Sequence, residues 1–155
     1  MSEAPPKRLL AAEPAGFFPG ATLDIANGGF RGIGFGGRAT VAKLDANHFE
    51  LDLRVSKLLF HIEVKLKFEL DARGQVQFFG GRPDGKATGS EPAHVKHTMT
   101  IVSQTPERTV LEFPFEDGKN GTVIRQVVLE KARVKGAEGL RLTYDRFELT
   151  LVPRR

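Results

Sequence analysis

Between residues 49 and 70 apolar and polar positions alternate almost without a break. Phe49, Leu51, Leu53 and Val55 are separated by Glu50, Asp52 and Arg54; from Leu58 every second residue through Phe60, Ile62, Val64, Leu66, Phe68 and Leu70 is again apolar. A period of two sends successive side chains to opposite faces of a pleated strand, so each run predicts a half-buried strand. The apolar parity changes between Val55 and Leu58. A two-residue connection at Ser56-Lys57 would therefore pair Val55 with Leu58 and Leu53 with Phe60, placing His61 opposite Asp52. Neither Ser nor Lys takes positive φ easily, so a wider loop or a bulge there is the alternative. The second run has 13 residues, a span of about 43 Å at roughly 3.3 Å per residue. A strand of that length must coil strongly, serve two packed sheets or wrap a barrel. Phe60, central on the apolar face, is expected to be among the most costly residues to truncate.

The same pattern recurs along the chain. Residues 1–20, rich in Ala and Pro, predict an irregular N-terminal lead-in, and residues 21–155 a single all-β domain. Short strands are expected at Ala21–Ala26 and Thr40–Leu44, flanking the run NGGFRGIGFGG at Asn27–Gly37, which holds six glycines in eleven residues. After Asp71–Gly74, Val76 and Phe78 face the core, and Gly80–Pro92 forms a long unpatterned polar loop, more consistent with a functional loop than with a core connection. Val95, His97, Met99 and Ile101 alternate, then Leu111, Phe113 and Phe115. Pro114 has no N–H to donate and belongs at an edge or a bulge. Asp117–Gly121 is a turn. Residues 122–135 read as a strand with a bulge, although Ile124, Val127, Val128 and Ala132 also fit a helical stripe. The last strand carries Leu140, Leu142 and Tyr144, then Phe147, Leu149 and Leu151, with a parity switch at Asp145-Arg146 taken as a bulge. The expected fold is thus an antiparallel meander of about eight or nine strands. It forms a closed or partly closed, lipocalin-like barrel, or else a strongly coiled β-sandwich.

Composition narrows the function. No apolar run reaches the roughly 18 residues of a membrane helix, and the aromatic girdles of an outer-membrane barrel need more than one Tyr and no Trp. The expectation is a chain that is not transmembrane, with no secretory signal in evidence and the cytoplasm as the default compartment. The absence of cysteine removes disulfides, thiolate nucleophiles and Cys metal sites. The net charge of +4 falls wholly in residues 121–155, which hold 8 basic and 4 acidic side chains. That segment is where an anionic partner would dock, against the simpler reading of a solvated face. No motif points to sequence-specific nucleic acid binding.

Candidate chemistry is sparse. His94 and His97 lie three apart on a strand and face opposite ways, so they do not chelate together. His61 opposite Asp52 would be an oriented imidazole, which on a polar face is most often a surface ion pair. No catalytic residue, metal site or cofactor is assigned. The glycine run does not open a helix, as a dinucleotide loop must. Phe30-Arg31-Gly32-Ile33-Gly34-Phe35-Gly36-Gly37 resembles the first strand of nitrobindin-like and other lipocalin-like barrels, where a Trp-Arg-Gly-x-Gly run is usual. With Phe30 for the Trp, and no histidine near the C-terminus, this resemblance implies the barrel and not haem. Asp24-Ile25-Ala26-Asn27-Gly28-Gly29 resembles the Asp-x-Ser-x-x-Gly motif of PilZ domains, with Ala26 for the Ser and Arg8 alone for the paired upstream arginines. It implies a cyclic-dinucleotide sensor.

About eight strands close around a space just large enough for packed side chains or one small ligand. The first expectation is therefore a non-enzymatic, lipocalin-like binder of a small apolar or amphipathic, lipid-like molecule. Phe30, Ile33, Phe35, Phe60, Ile62, Val64 and Phe68 would form its lining, with the mouth near Asn27–Gly37 or Gly80–Pro92. The alternatives are a structural or protein-interaction β-domain with a filled core, and the cyclic-dinucleotide sensor.

Overall fold

The computed structural model describes residues 8–10, 13–30, 32–57, 60–82, 94–144 and 146–154. It contains ten strands: β1 (Thr22–Phe30), β2 (Ile33–Leu44), β3 (His48–Lys57), β4 (Phe60–Leu70), β5 (Gln75–Gly81), β6 (His94–Thr105), β7 (Arg108–Asp117), β8 (Gly121–Val134), β9 (Ala137–Tyr144) and β10 (Phe147–Pro153). Each pairs antiparallel with the next, and β10 pairs with β1 to close the barrel. Closure satisfies both edges of the sheet, which an open meander would leave exposed. The barrel is the architecture formed, and the sandwich is not.

The long hairpin forms with a different register from the one the alternation suggested. β3 continues through Ser56 and Lys57, and Lys57 pairs with Phe60; Val55 faces Ile62 and Leu53 faces Val64. Residues 58 and 59, and the side chain of Phe60, lie outside the described residues. Relative to a turn at Ser56-Lys57, the pairing is displaced by four residues. An even displacement keeps both apolar sets on one face, so hydrophobic periodicity does not distinguish the two registers. Charge does. The observed register sets Arg54 against Glu63, Asp52 against Lys65, Glu50 against Lys67 and His48 against Glu69, whereas the other would oppose Glu50 to Glu63. Cross-strand pairs of opposite charge stabilise a sheet and like pairs destabilise it. Lys65 Nζ lies 3.1 Å from Asp52 and His48 Nε2 lies 3.1 Å from Glu69. His61 consequently meets Ser56, whose Oγ is 3.0 Å from its Nδ1, and not Asp52.

Three further expectations change. The parity switch at Asp145-Arg146 is a hairpin: Tyr144 pairs with Phe147, and one expected strand becomes β9 and β10. Residues 121–134 form a strand whose pairing with both neighbours runs without a register shift. The glycine run is drawn into β1 and β2, which meet from Thr22↔Thr40 to Phe30↔Ile33 across a shift between Asp24 and Gly28. A Cβ on Gly28 would overlap the Phe35 ring, and Gly37 has φ +132° with the Arg54 carbonyl where its Cβ would be. Both positions need a residue without a side chain. Asp24–Gly29 is strand, with a bulge between Ile25 and Asn27 on the β10 side.

Along the barrel axis the interior divides in two. At the end formed by the β2–β3, β4–β5, β6–β7 and β8–β9 turns, Val41, Phe49, Val76, Met99, Leu111 and Leu140 are fully buried. The N-terminal segment crosses this end and seals it. Leu9, Leu10 and Phe17 join the core, the Leu9 N–H donates to the Ala46 carbonyl (2.9 Å), and Gln104 Nε2 donates to the Arg8 carbonyl (2.6 Å). The opposite end carries the other turns and is differently built.

Candidate functional site: the aromatic cavity at the open end

Beyond Phe49 the interior side chains become aromatic. Phe49 stacks on Phe68 (ring centroids 6.2 Å), Phe68 meets Phe78 at 4.9 Å, and Phe78 lies 6.2 Å from His97 and 6.3 Å from Tyr144. His97 packs 4.2 Å from Phe113, which stacks on Tyr144 at 5.7 Å. Between these rings and the aliphatic side chains beside them lies a cavity of about 320 Å³. Its floor is Leu66, Phe68 and Phe78; its sides are Val127, Leu142 and Tyr144; its rim is Phe30, Phe147, Val64, Val95 and the Gly80-Gly81 backbone. None of these residues carries a charge.

Two structural features shape the mouth. A Cβ on Gly80 would come within 2.9 Å of Phe78 and 3.3 Å of Leu66, so a side chain there would intrude on the floor. The β6–β7 ladder ends at Thr100↔Glu112 and the β8–β9 ladder at Val127↔Tyr144. Among the described residues, the hairpin tip 113–126 is thus paired only with itself, a two-stranded flap that stands past both neighbours. Pro114 falls on this flap, away from any β6 partner, in the edge position its missing N–H requires.

The flap brings polar groups to the apolar mouth. Arg125 pairs across the hairpin with Phe113 and shares its inward face, and its guanidinium carbon sits 4.1 Å from the Phe115 ring centroid. Such a cation is attracted by the negative face of the ring. Tyr144 Oη lies 3.4 Å from His97 Nε2. Burial among rings holds the His97 imidazole below its ordinary pKa of 6.5, because removal from water disfavours the charged form.

The expected lining residues separate into three groups. Phe30, Val64 and Phe68 line the cavity. Phe35 packs beside it, stacked 5.9 Å from Phe147. Ile33 and Ile62 stand at the strand ends with 53% and 45% of their surface exposed, and the Phe60 side chain is outside the described residues. The mouth lies at the end shared by Asn27–Gly37 and Gly80; residues 83–93 of the long loop are outside the described residues. Sequence reasoning missed Phe78, Tyr144, Phe147 and Arg125. The first three follow from carrying inward parity around the barrel, since Phe68 pairs with Phe78 and Tyr144 with Phe147. Arg125 breaks its strand's apolar alternation, a signal visible in the sequence once residues 121–134 are read as one regular strand.

Other concave or charged regions converge less. A concavity of about 670 Å³ lies on the outer wall of β3–β6, between Lys65, Lys67 and Lys96 and the carboxylates of Glu50 and Glu69. It mixes both signs of charge and faces solvent. The basic residues of 121–155 are dispersed: Glu130 lies 3.6 Å from both Arg108 and Arg141, Lys131 3.6 Å from Glu138, and Arg141 3.7 Å from Glu148. Among the described residues no group of three or more His, Asp or Glu is placed to hold a metal ion, and no helix is long and apolar enough to cross a membrane. No family model matches the chain, and neither the curated proteins nor the solved structures contain a match to it.

Proposed function

We propose that this protein is a non-enzymatic binding barrel, lipocalin-like in action, that holds a small apolar or amphipathic ligand at its open end. The observation that carries the reading is the uncharged aromatic cavity of about 320 Å³ beside a core that is otherwise closely packed. Ligand sites are concave, mostly apolar and few per protein, and their volumes begin near ~300 Å³. At roughly 30 Å³ per non-hydrogen atom, as in liquid water, this cavity holds on the order of ten such atoms. Burying a chain of that length at about 0.8 kcal/mol per methylene offsets the several kcal/mol lost on immobilising it.

Titration with N-phenyl-1-naphthylamine, whose fluorescence rises in apolar surroundings, tests the reading. One saturable site is expected in the wild type. Val64→Trp projects an indole into the cavity and should abolish the signal while the cooperative thermal transition is retained. An absence of saturable binding in the folded wild type would favour the filled-barrel interaction domain instead.

A further inference from the structure

The exposed apolar side chains of the barrel are unevenly placed. Among the described residues, Phe30, Ile33, Ile62, Val95 and Ile124 are 38% to 62% exposed and all lie at the open end, whereas Phe18 and Val102 lie elsewhere. The five come from five strands, β1, β2, β4, β6 and β8. Phe30 pairs with Ile33 beside the β1–β2 turn, Ile62 faces Val55 near the β3–β4 turn, Val95 is the second residue of β6, and Ile124 faces Pro114 across the flap. Single exposed apolar residues need no account, but a concentration of them marks an interaction surface. We propose that the open end docks on an anionic lipid bilayer. The inference goes beyond the ligand reading and stands on the rim rather than on the cavity.

Charge selects this occupant. Lys57 at the end of β3, Lys96 beside Val95 and Arg146 beside Phe147 are all exposed at the same end. Among the described residues around this rim the opposing acid is Glu63, which faces Arg54 across the hairpin; on the flap, Lys119 and Arg125 are equal in number to Glu116 and Asp117. A rim that is both apolar and basic matches a bilayer, where apolar side chains enter the acyl boundary and cations stay at the level of anionic headgroups. A second copy fits less well, because a symmetric contact between two open ends would bring the same cations face to face. Docked in this way, the mouth rimmed by Phe30 and Val95 faces acyl chains, and an apolar ligand passes between bilayer and barrel without crossing water.

The test is co-sedimentation with vesicles of phosphatidylcholine alone and of phosphatidylcholine mixed with phosphatidylglycerol. The wild type is expected to bind the mixed vesicles at least about tenfold more tightly. The triple variant Lys57→Gln, Lys96→Gln, Arg146→Gln should lose about tenfold or more on mixed vesicles, since each cation near such a surface is worth roughly a factor of five. Lys43→Gln, Arg73→Gln, Arg133→Gln removes the same charge from the sealed end and should bind as the wild type does. Ile33→Ser with Ile124→Ser should weaken binding while dye titration and the thermal transition are retained. Equal losses in the two triple variants, or full binding by the Ile33 and Ile124 variant, would reduce the effect to unspecific charge adsorption and overturn the inference. Dye binding without vesicle binding would overturn it too and leave the ligand reading intact; vesicle binding without dye binding would do the reverse. Concentration-dependent dimers in sedimentation equilibrium, lost in the Ile33 and Ile124 variant and accompanied by no vesicle binding, would assign the rim to a second copy.

Discussion

The two ends of the barrel are built from the same alternating strands and differ in what fills them. The sealed end is packed with Leu, Val, Met and Phe and covered by Leu9, Leu10 and Phe17, all essentially inaccessible. The open end relies on rings: Phe35, Phe78, Phe115, Tyr144 and Phe147 are only partly buried, and Phe30 is exposed. The sealed end is filled to the close packing usual of protein interiors, whereas at the open end a cavity of about 320 Å³ remains among the rings. One end therefore supplies stability and the other supplies volume. The N-terminal segment deepens the contrast: among the described residues, Leu9, Leu10 and Phe17 add to the core at one end of the barrel, and no comparable segment lies over the other.

The largest expected effect is a difference in stability between the ends. Phe49→Ala, at the sealed end, should cost about 3–5 kcal/mol, the range for a fully buried Phe. Phe147→Ala, beside the cavity, should cost about 1–2 kcal/mol, since its ring is already partly exposed and a gap already adjoins it. Urea denaturation of the two variants measures both, and equal costs would break the comparison. Next comes the seal. Leu9→Ala removes a fully buried side chain and should cost about 2–3 kcal/mol, toward the lower part of the range for such truncations because an irregular segment relaxes more easily than a strand. Unchanged stability would show that the segment covers the end without supporting it.

The smallest effect is a pH dependence confined to the open end. His97 is held below its ordinary value of 6.5 by burial. The folded state therefore resists protonation while the unfolded chain accepts it. As pH falls below about 6.5 the unfolded state binds more protons and stability declines, until the folded value is reached. Above that window His97 contributes no pH dependence. His97→Phe keeps a ring among Phe78, Phe113 and Tyr144 and should remove this component, so urea midpoints measured from pH 7.5 to 5.5 should slope less than in the wild type. Identical slopes would place His97 in water and weaken the picture of a dry mouth.

Much of this architecture was legible in the residues. Strict alternation from Phe49 to Leu70 requires strands with one buried face, and a chain of such strands without a helix to cover them either closes on itself or packs as two sheets. The charge pattern that selects the β3–β4 register was also present: only one of the two registers opposes Arg54 to Glu63 and Asp52 to Lys65. Other features were ambiguous for a physical reason. A parity switch across two residues is produced equally by a bulge and by a tight hairpin, so Asp145-Arg146 concealed a tenth strand. Period-two patterning states which residues face inward and says nothing of how far along the axis each lies. The sequence by itself determined alternating strands with an inward face rich in Phe, a pattern shared by a barrel and a coiled sandwich; closure is seen in the strand pairing of the structure. Only the tertiary structure decided that Leu9 and Phe17 seal one end, and that the rings and Arg125 gather at the other. Height in a barrel is set by register between strands distant in sequence, and such register is a property of the closed sheet rather than of any one strand.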